Sequence, residues 1–207
     1  MQDSPRRFTQ PALLFVALAL VAVLGWSNRS LAKENGVLWD RVVRPYRGFV
    51  VPAFVARATD GREVVVAGND SSAGQVLFVF STACHFCTQT LPTWRAIDSA
   101  LAADGAHAHV VGVSLDTGSA PAAYAADNHL GFPVVQFPDA RTRSVYRARE
   151  VPLTMVVDAH GHVLYAATGL LRDRASVDSV VAAAREAVVR QRAAKASTEG
   201  GSAGRKT

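Results

Sequence analysis

The run VLFVF at residues 76–80 leads within four residues to Cys84-His85-Phe86-Cys87, which holds the chain's only two cysteines. Five apolar residues in a row, without alternation, suit a strand covered on both faces, and a sheet of that kind needs layers on both sides. HAHVVGVSLD at 107–116 reads as a second such strand. Between them, Leu91, Trp94, Ile97 and Leu101 recur at helical spacing, and Gly105 closes that helix. Each long helical crossover here predicts parallel pairing of the strands it joins.

The remaining sequence completes the pattern. FVVPAFVARATDGREVVV at 49–66 offers two extended stretches around the turn Thr59-Asp60-Gly61, followed by the polar loop NDSSAG. An alanine-rich helix is expected over 118–130 with Pro121 near its start, then a short extended piece in FPVVQFPD and a short helix in DARTRSVYRA. VPLTMVVDAHGHVLYAATG at 151–169 reads as two strands around Ala159-His160-Gly161, and 171–194 as a last helix with Val177, Val180, Val181, Ala184 and Val188 on one side. The expected fold is α/β: a mixed sheet, parallel early and antiparallel late, flanked by helices over 49–194. The small polar stretch from 195 to 207 is expected to be disordered.

The first 32 residues read as an export segment. Arg6 and Arg7 precede an apolar run from Pro11 to Trp26, and basic residues stay on the cytoplasmic side. The run of 16 is short against the roughly 20 residues of a spanning helix, and Ser30-Leu31-Ala32 resembles a cleavage site. The reading favours a retained anchor over residues 11–26, with secretion after cleavage as the alternative, and takes 33–48 as a linker or short helix. Charge excludes little else. Formal net charge is +5, and 19 basic against 16 acidic residues remain beyond residue 32. That balance gives no reason to propose nucleic acid.

In an exported chain two thiols can form a lasting disulfide. A strand that runs into C-x-x-C at a helix start places Cys84 at the helix N-terminus, where unpaired N–H groups and the macrodipole favour a thiolate. Residues three apart on a helix are about 5–6 Å apart, inside the window a disulfide needs, so Cys87 can close on Cys84. A ring this small constrains little of the unfolded chain, which argues against a staple. Zinc needs about four ligands, and haem attachment needs C-x-x-C-H where Thr88 stands. The serine of a peroxidase motif is matched by Ser81, but its proline position holds Leu77. Thiol-disulfide exchange without a cofactor is the reading left. A copper(I) site or redox sensor on Cys84, Cys87 and His85 is the competing one.

FSTACHFC, Pro92 eight residues after the first cysteine, Val151-Pro152-Leu153-Thr154 opening a strand, Asp158, Gly161 and Gly169 together resemble the thioredoxin superfamily, and within it the exported TlpA-like proteins. The resemblance covers roughly residues 49–190. It implies a cis peptide before Pro152 placed against Cys84, with the backbone of Val151 pairing with a protein substrate. It also implies Cys84 as the attacking thiol and Cys87 as the resolving one. TlpA-like proteins are mostly reductants recharged by a membrane electron relay, serving cytochrome c maturation or metal-site assembly. The implied placement is the bacterial cell envelope, anchored in the inner membrane with the domain outside the cytoplasm.

The departures are specific. The buried carboxylate that thioredoxins carry six residues before the first cysteine is Phe78, and the glutamate that some TlpA-like proteins carry six after it is Thr90. The residues flanking the cysteines are Ala83 and Phe86, where the superfamily usually has Trp and Pro. His85, if charged, would favour the Cys84 thiolate. Asp116 ends a strand beside the expected site, where it could take a proton through water or cap the next helix. His160 and His162 are expected to face solvent, and Trp94 to lie in the core.

Overall fold

The structure, a computed structural model, describes residues 6–68, 74–103 and 108–203. It falls into two compact units that meet at Val43/Arg44. The first is one helix, α1 (Arg6–Val43). Its stretch Leu13–Gly36, 24 residues of mean hydropathy 1.6 and none of it buried, is long and apolar enough to cross a membrane. The helix does not stop where a linker was expected to begin at 33. It continues to Val43, and Pro45 explains the stop, because the residue before a proline is pushed out of the helical region. The second unit accordingly starts at Arg44, five residues before the expected 49. Arg47 binds the Leu164 carbonyl at 2.9 Å and Glu186 at 2.8 Å, and the Arg147 guanidinium lies 4.2 Å over the Phe49 ring.

The second unit contains the antiparallel hairpin β1 (Phe54–Arg57) and β2 (Glu63–Val66), followed by β3 (Gln75–Phe80), α2 (His85–Ala103) and β4 (His109–Ser114). Next come α3 (Ala120–Asp127), β5 (Val134–Gln136), α4 (Ala140–Val145), β6 (Leu153–Val157), β7 (Val163–Thr168) and α5 (Arg174–Ala203). The main sheet has the order β5-β4-β3-β6-β7. β3 pairs parallel with β4 and β6 antiparallel with β7, as the crossover and the late hairpin predict, and β3 also pairs antiparallel with β6. α5 is helical through Ala203, beyond 195, where disorder was expected. The polar loop 69–73, Gly105 and residues 204–207 lie outside the described residues.

β3 is buried at every position, the consequence of its unbroken apolar run. Val76, Phe78 and Phe80 face one layer with Leu91, Trp94, Ile97 and Leu101 of α2 and Val180, Ala184 and Ala187 of α5. Leu77 and Val79 face the other, with Val51, Val66, Tyr146, Leu153 and Met155. At about 25 cal/mol per Å² of apolar surface removed from water, these two layers supply the main force holding β3 at the centre. The helix that follows is thereby delivered to the C-terminal edge of the parallel strands. His160 and His162 are exposed, and the carboxylate of Asp158 accepts both their N–H groups to close the β6–β7 turn.

Candidate active site

β3 ends at Phe80 and α2 begins at His85, so Cys84 is the residue that caps the helix. Its carbonyl accepts the N–H of Cys87 at 3.0 Å and of Thr88 at 3.3 Å, the first turn of α2. Its side chain is only half-buried, and its sulfur accepts a second contact from the Cys87 N–H at 3.2 Å. The helix start thus aims a backbone donor at the Cys84 sulfur, as the spacing predicts.

Cys87 is in the opposite environment. It is fully buried, on the α2 face that packs Leu91 and Trp94 under the sheet. Burial, and next the hydrogen bond with Cys84, push its thiol up to about 12. One cysteine is reachable and the other is shielded, the asymmetry an attacking and a resolving thiol require.

Val151–Pro152 is a cis peptide. Pro152 is buried and its carbonyl accepts the Gly169 N–H at 2.7 Å, which ties the start of β6 to the end of β7. Val151 is half-buried, and the Cys84 thiol donates to its carbonyl at 3.7 Å. Cys84, Cys87, Val151 and Pro152 are therefore brought together from two distant stretches of the chain.

His85 is exposed, and its ring Nε2 meets the Gln89 amide nitrogen at 2.9 Å, one turn along α2. Its ring is therefore engaged with Gln89 on the outer face of the helix. No group of three or more His, Cys, Asp or Glu side chains placed to hold a metal ion occurs among the described residues.

Asp116 follows the end of β4 and does not cap the next helix, whose N-cap is Ser119. It turns to the loop before the cysteines, accepting the Thr82 N–H at 2.5 Å and the Ser81 hydroxyl at 3.2 Å. Partial burial alone would raise its carboxyl, but the bonds from Thr82, Ser81 and Ser114 outweigh burial and hold it below the usual carboxylate range. Ser81 in turn accepts the Cys84 N–H at 3.1 Å.

Neither departure supplies a carboxylate to the core. Phe78 stacks on Trp94 with ring centroids 4.8 Å apart, and the indole N–H of Trp94 donates to the Thr154 hydroxyl at 3.0 Å. Thr90 is buried and bonds the Phe86 carbonyl. Phe86 itself is 55% exposed beside Cys84.

Sequence reasoning missed Tyr124. It lies on α3, stacks on Phe80 at 5.1 Å and meets the Thr88 hydroxyl at 3.4 Å. Burial raises its phenol, and the two cysteines add to that. The signal was a lone aromatic in the alanine-rich APAAYAAD.

Comparisons with known proteins bear on the fold and the family. A proposed thiol:disulfide interchange protein, DsbE, from Chlorobium tepidum superposes with a TM-score of 0.57 at 22% identity, covering 67% of this chain and 98% of that one. StoA from Bacillus subtilis gives 0.53 at 16% identity, covering 63% and 98%. The peroxidoxin BcpB from Mycobacterium tuberculosis gives 0.55 at 19%, covering 68% and 96%. At these identities the likeness establishes a thioredoxin-like fold. No curated protein matches the chain in sequence. The AhpC/TSA family matches residues 48–166, more than half of the 207, and the chain belongs to the AhpC/TSA family of thioredoxin-like proteins.

Proposed function

We propose that this protein is a thiol-disulfide oxidoreductase acting on protein disulfides through Cys84 and Cys87. The observation that carries the reading is the half-exposed Cys84 sulfur at the cap of α2, 3.7 Å from the carbonyl of Val151 and beside a fully buried Cys87. In that geometry the Cys84 sulfur attacks one sulfur of a substrate disulfide, forming a Cys84–substrate bond and releasing the other substrate sulfur as a thiolate. Cys87 then attacks Cys84, the mixed disulfide breaks, and the substrate leaves reduced while the Cys84–Cys87 pair is oxidised. In this reading the backbone of Val151, half-buried beside Cys84, meets the backbone of a substrate chain.

Reduction is the direction we favour, following the resemblance to TlpA-like proteins, with the oxidised pair recharged by a membrane electron relay. The apolar stretch Leu13–Gly36 supports an envelope location with α1 as anchor, and His85 is kept as a modulator of the pair. The test is turnover of a disulfide-bonded protein by the reduced chain in the presence of a regenerating thiol. The parent should turn over and Cys84→Ser should not. Equal activity of the two would overturn the assignment.

A further inference from the structure

Of the large apolar side chains on α2, Leu91, Trp94, Ile97 and Leu101 are buried, whereas Phe86 is 55% exposed. A lone phenylalanine at a surface needs no explanation by itself. The place of this one gives it a use. The backbone nitrogen of Cys87 lies 3.2 Å from the Cys84 sulfur, and that nitrogen is bonded to the carbonyl carbon of Phe86. Standard bond lengths then put the Phe86 Cα within about 6 Å of the sulfur. The Phe86 ring meets the ring of His85 edge-on, centroids 6.0 Å apart, and Gln89 contacts His85 in turn at 2.9 Å. The aromatic side chain is thus braced at one edge while more than half of the residue stays open to solvent. The stretch that bears it carries no fixed charge: from Val76 to Trp94 there is no Asp, Glu, Lys or Arg. The sulfur's neighbour from the distant stretch is the Val151 carbonyl at 3.7 Å, and the Val151 side chain packs against both core layers.

We propose that Phe86 is a specificity-determining residue of the exchange site, and that it selects protein disulfides whose cysteine is flanked by an apolar side chain. This rests on the exchange reading above and adds the class of substrate. In the mixed disulfide the substrate sulfur is joined to Cys84 by a bond of about 2.05 Å, and the α-carbons next to the substrate cysteine lie about 3.8 Å from its own. A side chain flanking that cysteine therefore comes within reach of a ring rooted about 6 Å from the Cys84 sulfur. Contact removes apolar surface of both partners from water. A strongly hydrated side chain in the same place gives up water and gains no polar partner from the ring. The chemistry is that of ordinary exchange. The Cys84–substrate bond forms as the substrate disulfide breaks, and the departing sulfur carries the bonding pair and takes up a proton from solvent. Cys87 then displaces the second substrate sulfur, so that two electrons pass from the pair to the substrate. Phe86 enters neither bond; it acts by holding the substrate chain against Cys84.

Covering the exposed half of a phenylalanine is worth about tenfold in binding. The probes are two symmetric disulfide-linked peptides, one with Leu on both sides of the cysteine and the other with Ser, otherwise identical and uncharged, so that their leaving thiols are matched. The reduced full chain in detergent is mixed with each peptide at concentrations where the rate is proportional to peptide, quenched in acid at intervals, and weighed intact. Loss of the reduced protein gives the rate constant for attack. The readout is the ratio of the leucine to the serine rate constant within each protein, which cancels any loss of folded material and any change in Cys84 reactivity. The parent should prefer the leucine peptide by about tenfold, and in Phe86→Ala the preference should fall below about threefold. Phe86→Leu, which keeps an apolar surface, should stay near the parent.

A ratio near one in the parent, or a parental ratio kept in Phe86→Ala, overturns the proposal. Equal loss of preference in Phe86→Leu and Phe86→Ala overturns it as well, because apolar surface would then not be what selects. If neither peptide reacts with any variant, the parent included, the exchange reading itself has failed and this inference fails with it, an outcome distinct from a lost preference.

Discussion

The Cys84 sulfur lies 3.7 Å from the carbonyl oxygen of Val151, a residue 67 positions later in the chain. Two separate constraints meet at this contact. The helix cap fixes the sulfur, and the turn into β6 fixes the carbonyl. Under the proposed exchange reading, a substrate approaching Cys84 would meet the backbone of Val151 together with the thiol, a contribution of positioning.

The two cysteines should differ sharply in reactivity toward an alkylating reagent. With its thiol pushed up to about 12, Cys87 is protonated at pH 8, and the sulfur is buried besides. Iodoacetamide at pH 8 should give one adduct, mapped by peptide mass to Cys84, with Cys87 modified only after unfolding. Comparable labelling of both in the folded protein would contradict the asymmetry.

Alkaline stability should carry the same signature. Burial raises the thiol of Cys87 in the fold from the ordinary 9.0 to about 12, so the folded state holds a proton that the unfolded chain gives up in between. Stability associated with Cys87 is thus fully present below about pH 9 and is lost as pH rises toward 12. Urea midpoints of the reduced protein should fall over that window more steeply than those of Cys87→Ala. Parallel slopes would show that Cys87 ionises in the fold as readily as in the unfolded chain.

Trp94 and Thr154 couple α2 to β6 through one buried hydrogen bond of 3.0 Å. Thr154→Val keeps the volume and strands the indole N–H, which should cost about 1–3 kcal/mol in urea unfolding. Trp94→Ala removes the ring that stacks on Phe78 and should cost about 3–5 kcal/mol. A loss below about 0.5 kcal/mol for Thr154→Val would show that the indole finds another partner.

Much of this was legible in the residues, and the reason is local. Residues 76–80 hold no polar side chain, which suits a central strand, and Val151-Pro152 stands at the head of the largely apolar LTMVV. The C-x-x-C spacing places its own first cysteine on a helix cap. What was not legible depends on tertiary placement. For Asp116 the sequence leaves two readings, a proton acceptor through water or a cap for the next helix, and does not show the loop it bonds. Its partners, Ser81 and Thr82, come from 35 and 34 residues upstream, brought in by the parallel pairing of β3 and β4. Tyr124 gave no periodic signal, since it is one aromatic among alanines. The helical course of 33–43 was obscured by the polar and glycine residues there, although Pro45 marks where it ends.

Placement outside the cytoplasm is testable without reference to activity. A C-terminal fusion to a reporter that is active only after export should be active, because basic residues precede the apolar stretch Leu13–Gly36. Activity only from a reporter that works in the cytoplasm would reverse the orientation.

The central claim is that Cys84 makes the first bond to substrate and Cys87 breaks it. The most direct measurement incubates each single serine variant, reduced, with a disulfide-bonded protein and separates the products on a non-reducing gel with mass identification. Cys87→Ser should accumulate a lasting covalent complex joined through Cys84, and Cys84→Ser should form none, because its remaining thiol is buried and protonated. A complex that forms through Cys87 in Cys84→Ser, with none in Cys87→Ser, would contradict the account.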